Sequence, residues 1–571
     1  MNLTRNRLLW IAGLFPVLFF GFVTWRYSVN APWFDDFDPF PDFLRGWILS
    51  DSFSEKLRLL FQPNNEHRMV FGKALTAGYY ALTGKLNFVF LQLAGIFFTF
   101  GTLLLLWKSF RSTGLPAYLF LPVPYLLFQL QYYLIFLWSI CSLQHQPVVF
   151  FVCLSMFLLA RSEAGWGRFG LAILAGFCAN FAMSNGIFVW VGGAAVLLFQ
   201  TRYRMLVIWC VSGATAIALY FSGMSTQGNE SSIDFFLQNP HLSFLGFFAF
   251  LGGLFDFAPD RAIQVRTALP ILAAMLVMVW VALWFLNLLF PWLRNTFRKS
   301  TNLPSWITRY QLRPGYEQLG YFSLGVMLFL LSNAAVIGLL RPRFGFFVMV
   351  VSNYKIYPAL FLIISYLSFL SSTDVVLRVR AFRVGIVMSV MIWLLSLIHY
   401  GPAVSERRKF LLVNAYNQQH HGFGLGHQAG SPAAVYVDSL MQFMTQRGIY
   451  HYPTEYQPMF EEMKTVQKPL GKKLFHLDLE PEELYFIGPF AEVPGGYDTG
   501  AFAFLRRNNE LYVIKLNQRL YSGRNILIRY DEGLEGRIPY AAVPAGTYDW
   551  GILIRNRSGT ESGLGGKITL P

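Results

Sequence analysis

The chain has 571 residues, 54% of them hydrophobic, 18% aromatic and only 13% charged, against about 25% charged in water-soluble domains. So little charge over so long a chain argues against a soluble globular protein and points to several membrane spans. The net charge of +15 is not a nucleic-acid signature, because the basic residues fall in short clusters between hydrophobic runs, as the positive-inside rule expects.

Arg5 and Arg7 precede an apolar run from Leu8 to Trp25. Trp25 and Arg26 close the run and no small-residue cleavage site follows, so it reads as an uncleaved first span with a cytoplasmic N-terminus. The loop from Tyr27 to Arg68 is then outside. Asp35, Asp36, Asp38, Asp42 and Asp51 crowd its front. Leu57, Leu60 and Phe61 recur at helical spacing, which predicts an interfacial amphipathic helix. Met69 to Thr83 is short and interrupted by Lys73, so it is expected in the membrane surface.

Apolar runs then follow at 86–107, 115–135, 146–160, 169–181, 187–199, 205–221, 268–290, 319–340, 357–370 and 384–398. With the first they make about eleven spans, several shorter than the roughly 20 residues of a full crossing. Leu242 to Phe257 reads as re-entrant or interfacial. Lys108/Arg111, Arg161/Arg168, Arg202/Arg204, the loop containing Arg294, Arg298, Lys299, Arg309 and Arg313, and Arg378/Arg380/Arg383 all land on the cytoplasmic side. Cys141, Cys153, Cys178 and Cys210 lie in or beside apolar runs without metal or disulfide spacing and read as buried apolar residues.

The tail is outside. Residues 401–474 read as a helical extracytoplasmic segment, and 475–571 as a β-rich domain. Glu483–Ile487, Ala501–Leu505, Glu510–Lys515, Asn525–Arg529 and Asp549–Arg555 are short runs of β-formers separated by turn residues. They predict a small antiparallel β-sandwich. His420, His421 and His427 fit no zinc spacing and read as solvated histidines.

Four polar clusters share the outer face: Asp35–Asp36, Glu66–His67–Arg68, Ser184–Asn185–Gly186, and Arg341–Pro342–Arg343 with Lys355. Ser184–Asn185–Gly186 taken alone reads as a turn. Trp33 with Asp35–Asp36, Asn65–Glu66–His67–Arg68, Ser184–Asn185–Gly186 and the Arg341/Arg343 to Tyr354–Lys355 stretch together resemble bacterial members of the GT-C glycosyltransferase superfamily. The resemblance covers residues 1–400, with a catalytic outer loop at 27–85, and stops short of the β-rich tail. It implies a multi-pass α-helical GT-C-like fold in the bacterial inner membrane. It also implies a polyprenyl phosphate-linked sugar donor (undecaprenyl phosphate in bacteria) and a glycan, lipid or protein acceptor. Some members of the superfamily use a divalent metal, so Mg or Mn stays open here.

Inverting transfer from a lipid phosphosugar needs a carboxylate to deprotonate the acceptor hydroxyl and cations to receive the departing phosphate. Adjacent carboxylates on an extended segment point opposite ways. One of the two is then expected to react and the other to bind; Asp36 is the expected base, with Asp35 as the alternative. Glu66 and His67 are candidates for positioning the acceptor. Arg341, Arg343, Lys355 and Arg68 are the phosphate-binding candidates. For Glu66–His67–Arg68 a salt bridge anchoring an interfacial helix competes with this reading, and for the later cations snorkelling to headgroups does. Two other classes remain open: a transporter or flippase of a lipid-linked sugar, which requires ionisable residues inside spans, and a non-catalytic envelope assembly protein.

Overall fold

The computed structural model describes residues 3–64, 67–161, 165–224, 229–297, 306, 309–470, 475–488, 497–521, 523, 525 and 530–571. Asn65, Glu66, Arg298, Lys299 and residues 526–529 of the expected strand lie outside the described residues. The chain divides into two compact units. One comprises Met1–Thr24, Leu60–Ala74 and Leu91–Ile398; the other comprises Trp25–Leu59, Leu75–Phe90 and His399–Pro571.

The first unit is helical. Among the described residues nine helices of the chain are long and apolar enough to cross a membrane, two fewer than the eleven expected. The difference is Trp166–Ala182, of 17 residues, and the shorter apolar stretch Ser184–Phe199. The two are consecutive, so the sidedness of every later loop is the same whether or not they cross. Their junction is tight. A Cβ on Gly186 would sit 1.9 Å from the Ala179 carbonyl oxygen, so only glycine allows this turn. The spanning helices turn large apolar side chains outward, Leu272, Leu276 and Val279 among them. That is the surface a lipid solvent selects, since every backbone group is already paired within the helix.

The second unit joins the acidic segment to the tail. Phe34 N–H donates to Leu425 O at 3.0 Å and Leu86 N–H to Ile449 O at 2.8 Å. The Tyr450 hydroxyl donates to Asn30 O at 2.6 Å, and the Asn30 amide donates to His451 O at 2.9 Å. The Tyr436 hydroxyl donates to Asp42 Oδ1 at 2.6 Å. Residues 27–59 and 75–85 of the expected outer loop thus fold with the tail.

The expected helical stretch of the tail is three helices: the end of Val375–His421, then Pro432–Gln446 and Gln457–Thr465. The first runs unbroken for 47 residues. Hydropathy locates only its apolar part, because helix continuity depends on backbone hydrogen bonding and not on side-chain polarity.

The β region has strands β1 (His476–Leu479), β2 (Glu483–Gly488), β3 (Gly500–Arg507), β4 (Glu510–Leu520), β5 (Tyr530–Pro539), β6 (Gly546–Asn556) and β7 (Gly559–Leu570). In place of two separate layers they form one antiparallel sheet of order β1-β2-β5-β4-β3-β6-β7. The sheet turns on β4, whose Leu511–Leu516 pairs with β3 and whose end, from Asn517, pairs with β5. Both halves face one core, in which Phe486 of β2 meets Trp550 of β6 with ring centroids 6.3 Å apart. Strand β3 is buried on both faces. Ala501, Ala503 and Leu505 enter that core, while Phe502 on the opposite face meets Tyr456. Arg506 then caps the helix Gln457–Thr465 by donating to the carbonyls of Met463, Lys464 and Val466 at 3.3, 2.6 and 3.1 Å.

Candidate functional site

In the second unit Trp33 is extended and Phe34–Asp36 makes a single helical turn. Phe34 has φ +51°, a left-handed conformation that costs a non-glycine residue about 1 kcal/mol. Three contacts offset the strain. Asp36 N–H donates to Trp33 O at 3.1 Å. Trp33 N–H donates to Asp36 Oδ2 at 3.0 Å. The Phe34 ring stacks on His427 with centroids 5.7 Å apart. Gly426, at φ +115°, makes room for the turn, since a Cβ there would lie 2.7 Å from Phe34 N.

The two carboxylates therefore have different surroundings. Asp36 is buried, at 1% exposure, and its side chain reaches back to close the turn. Asp35 is half-buried. Burial pushes its carboxyl above the usual carboxylate range, the Asp38 charge adds to this, and His427 opposes it in part. A carboxylate raised in this way is a stronger base once ionised. The Arg407 guanidinium lies 4.5 Å over the Trp33 ring and brings a cation to the same turn. Among the described residues no group of three His, Cys, Asp or Glu is placed to hold a metal ion.

His420 and His421 make ring contacts, and His420 is exposed. His421 stacks on Tyr512 with centroids 3.9 Å apart and its Nε2 lies 2.8 Å from Leu511 O. His420 lies against Tyr416.

The remaining candidates that the structure describes lie in the first unit. Arg68 does not serve as a phosphate ligand here. Its guanidinium is buried and donates to Tyr220 O at 2.6 Å and to the carbonyls of Phe61 and Ser222. Those carbonyls end the helices Phe53–Phe61 and Tyr203–Phe221, so Arg68 caps two helix C-termini. This corrects the expectation: a cation satisfied by backbone carbonyls is not available to an incoming phosphate.

Lys355 is buried and pairs with Asp256 at 3.0 Å, and Arg266 pairs with the same Asp256 at 2.8 Å. Burial raises the Asp256 carboxyl, and the two cations more than reverse this, holding it below the usual range. Arg341 and Arg343 flank Pro342 and are partly exposed; both guanidinium groups lie near the Phe344 ring. Ser184–Asn185–Gly186 is more than a turn. The Asn185 amide donates to the Tyr357 hydroxyl at 2.7 Å, and His145 Nδ1 lies 2.9 Å from that hydroxyl. Asn333 is 3.4 Å from the Asn185 amide. His67 lies within electrostatic reach of His145.

No family model, curated protein or solved structure matches this chain. The chemistry therefore rests on its own residues.

Sequence reasoning passed over Asp256, Arg266, His145 and Tyr357. An acid at the end of an apolar run was the available signal for Asp256. Nothing local marks Arg407 or His427 as neighbours of the acidic turn, because folding alone brings residues 33–36 to 407 and 427.

Proposed function

We propose that the protein transfers a sugar, with inversion, from a polyprenyl phosphate-linked donor to a hydroxyl of an envelope glycan, lipid or protein acceptor outside the cytoplasm. Asp35 takes the proton of the acceptor hydroxyl and the freed oxygen attacks the anomeric carbon. The bond from that carbon to the phosphate oxygen breaks, and polyprenyl phosphate leaves with the bonding electrons. Asp36 holds the turn that presents Asp35. Arg341 and Arg343, which are partly exposed, are the cations proposed for the donor phosphate; Lys355 and Arg266 are already committed to Asp256.

The observation that carries this reading is the contrast between the carboxylates: one closes the turn, while the other is half-buried with a raised pKa beside an aromatic ring and an arginine. A half-buried carboxyl raised by its surroundings, beside an aromatic ring and a cation, is the arrangement acid–base sites use. The test uses purified protein in nanodiscs with a panel of undecaprenyl phosphate-linked sugars, following release of undecaprenyl phosphate. Wild type releases it and Asp35→Asn does not. Undiminished release by Asp35→Asn overturns the assignment of the base.

One observation favours a transporter of the same lipid-linked sugar. Lys355 and Arg266 lie in membrane-length apolar helices, Ser352–Ser372 and Ile263–Arg294, and ion-pair there with Asp256, as intramembrane charges on a transport path do. Movement of the donor between leaflets without sugar release would select that reading.

A further inference from the structure

The second unit holds a cleft that the proposed transfer chemistry does not use. Its volume is about 360 Å³, at the small end of the range for ligand pockets. One wall is the end of the helix Val375–His421 and the loop that follows it; the other is the turn of the sheet at β2, β4 and β5. Phe423, His427 and Tyr485 are among its aromatic lining residues, with the Arg537 guanidinium over the Tyr485 ring, while Gln428, Asn517 and Arg537 bring hydrogen-bonding groups.

The charges in this cleft are internally matched. Lys515 pairs with Glu406. Arg537 pairs with Glu483 at 3.0 Å and donates to the Tyr485 hydroxyl at 3.0 Å. Glu535 faces Arg519. A lining of rings and amides whose cations already carry carboxylate partners favours a neutral polyhydroxylated ligand over an anion. Sugar rings present apolar C–H faces to aromatic rings and hydroxyls to amides and guanidinium groups.

The cleft also shares a residue with the acidic turn. His427 lines the cleft on one side and stacks on Phe34, next to Asp35, on the other. The Phe34 N–H bond to Leu425 O fixes that loop to the turn. We propose that this cleft binds a neutral oligosaccharide, the acceptor glycan, and holds the part of it that leads to Asp35. The acceptor assignment rests on the glycosyl-transfer reading; the binding site does not.

The test uses the full-length protein in nanodiscs and three soluble hexasaccharide probes, cellohexaose, maltohexaose and hexagalacturonate, with affinity measured by titration. At least one neutral probe binds, and Tyr485→Ala weakens it roughly tenfold. Tyr485→Phe retains the ring and retains binding, which separates loss of the site from loss of the fold. No binding of either neutral probe, equal or tighter binding of hexagalacturonate, or binding indifferent to Tyr485→Ala overturns the proposal. Saccharide binding without release of undecaprenyl phosphate from any donor keeps the cleft and removes the transfer reading. Release without saccharide binding does the opposite.

Discussion

Replacing Asp36 by asparagine and by alanine, beside Asp35→Asn, separates the carboxylate that builds the turn from the one proposed to react. Asp36 Oδ2 accepts the Trp33 N–H at 3.0 Å in a site where Asp36 is 1% exposed. Asparagine keeps an acceptor oxygen there and loses the charge assistance to this bond, worth about 1 kcal/mol. Alanine removes the acceptor from a part-buried donor, at about 1–3 kcal/mol. It also loosens the restraint on Phe34, whose left-handed backbone is held against about 1 kcal/mol of strain. Unfolding of the nanodisc-embedded variants followed by tryptophan fluorescence should rank them wild type, Asp36→Asn, Asp36→Ala in falling stability. Initial rates of undecaprenyl phosphate release should fall by less than about tenfold in Asp36→Asn and by about 10²–10⁴ in Asp35→Asn. The reverse order, with Asp36→Asn silent and Asp35→Asn active at unchanged stability, refutes the division of labour.

Asp35 also predicts a pH dependence. Its carboxyl sits above the ordinary 3.8 because of burial and Asp38, so the folded state binds the proton more tightly than the unfolded state. Stability from this group is then full below the ordinary value and is lost as pH rises through the raised one. Asp35→Asn should raise the unfolding temperature at neutral pH and lose that gain below pH 3.8; a gain independent of pH contradicts the account. Asp256→Ala takes one carboxylate from two cations and should cost about 3–5 kcal/mol. Lys355→Met leaves Asp256 with Arg266 and should cost distinctly less, as chemical denaturation would show. Arg68→Lys cannot reproduce the fan of carbonyl bonds, so unfolding temperature should fall while KM for the donor holds. A raised KM at unchanged stability would restore Arg68 as a phosphate ligand.

What was legible in the sequence divides along physical lines. Membrane helices announce themselves, because lipid demands a run of apolar side chains whatever the neighbours. The strands Glu483–Gly488 and Gly500–Arg507 were visible for a similar reason, being dense in β-formers. Strand β7, Gly559–Leu570, carries four glycines among its twelve residues and was not, since only pairing with β6 makes it a strand. The Asp35–Asp36 turn stood out by its position. Its inner logic did not: which carboxylate turns inward depends on the left-handed Phe34 and on a carbonyl at residue 425. The Asp256–Lys355 pair joins residues 99 positions apart, and no local pattern encodes such a distance. Arg68 misled because a cation beside an acid and a histidine looks like chemistry, while three helix-end carbonyls elsewhere in the chain claim it.

The sequence distance between Phe34 and Leu425, or Asn30 and His451, has a consequence for biogenesis. Ribosomes deliver about 5–20 residues per second, so the segment with Asp35 leaves the exit tunnel long before the carbonyls that shape it exist. During that interval the acidic turn lacks its Leu425 anchor and its His427 stacking partner. The turn should therefore form late, after the chain has passed residue 451, and a C-terminally truncated copy would keep both aspartates without the turn that orders them.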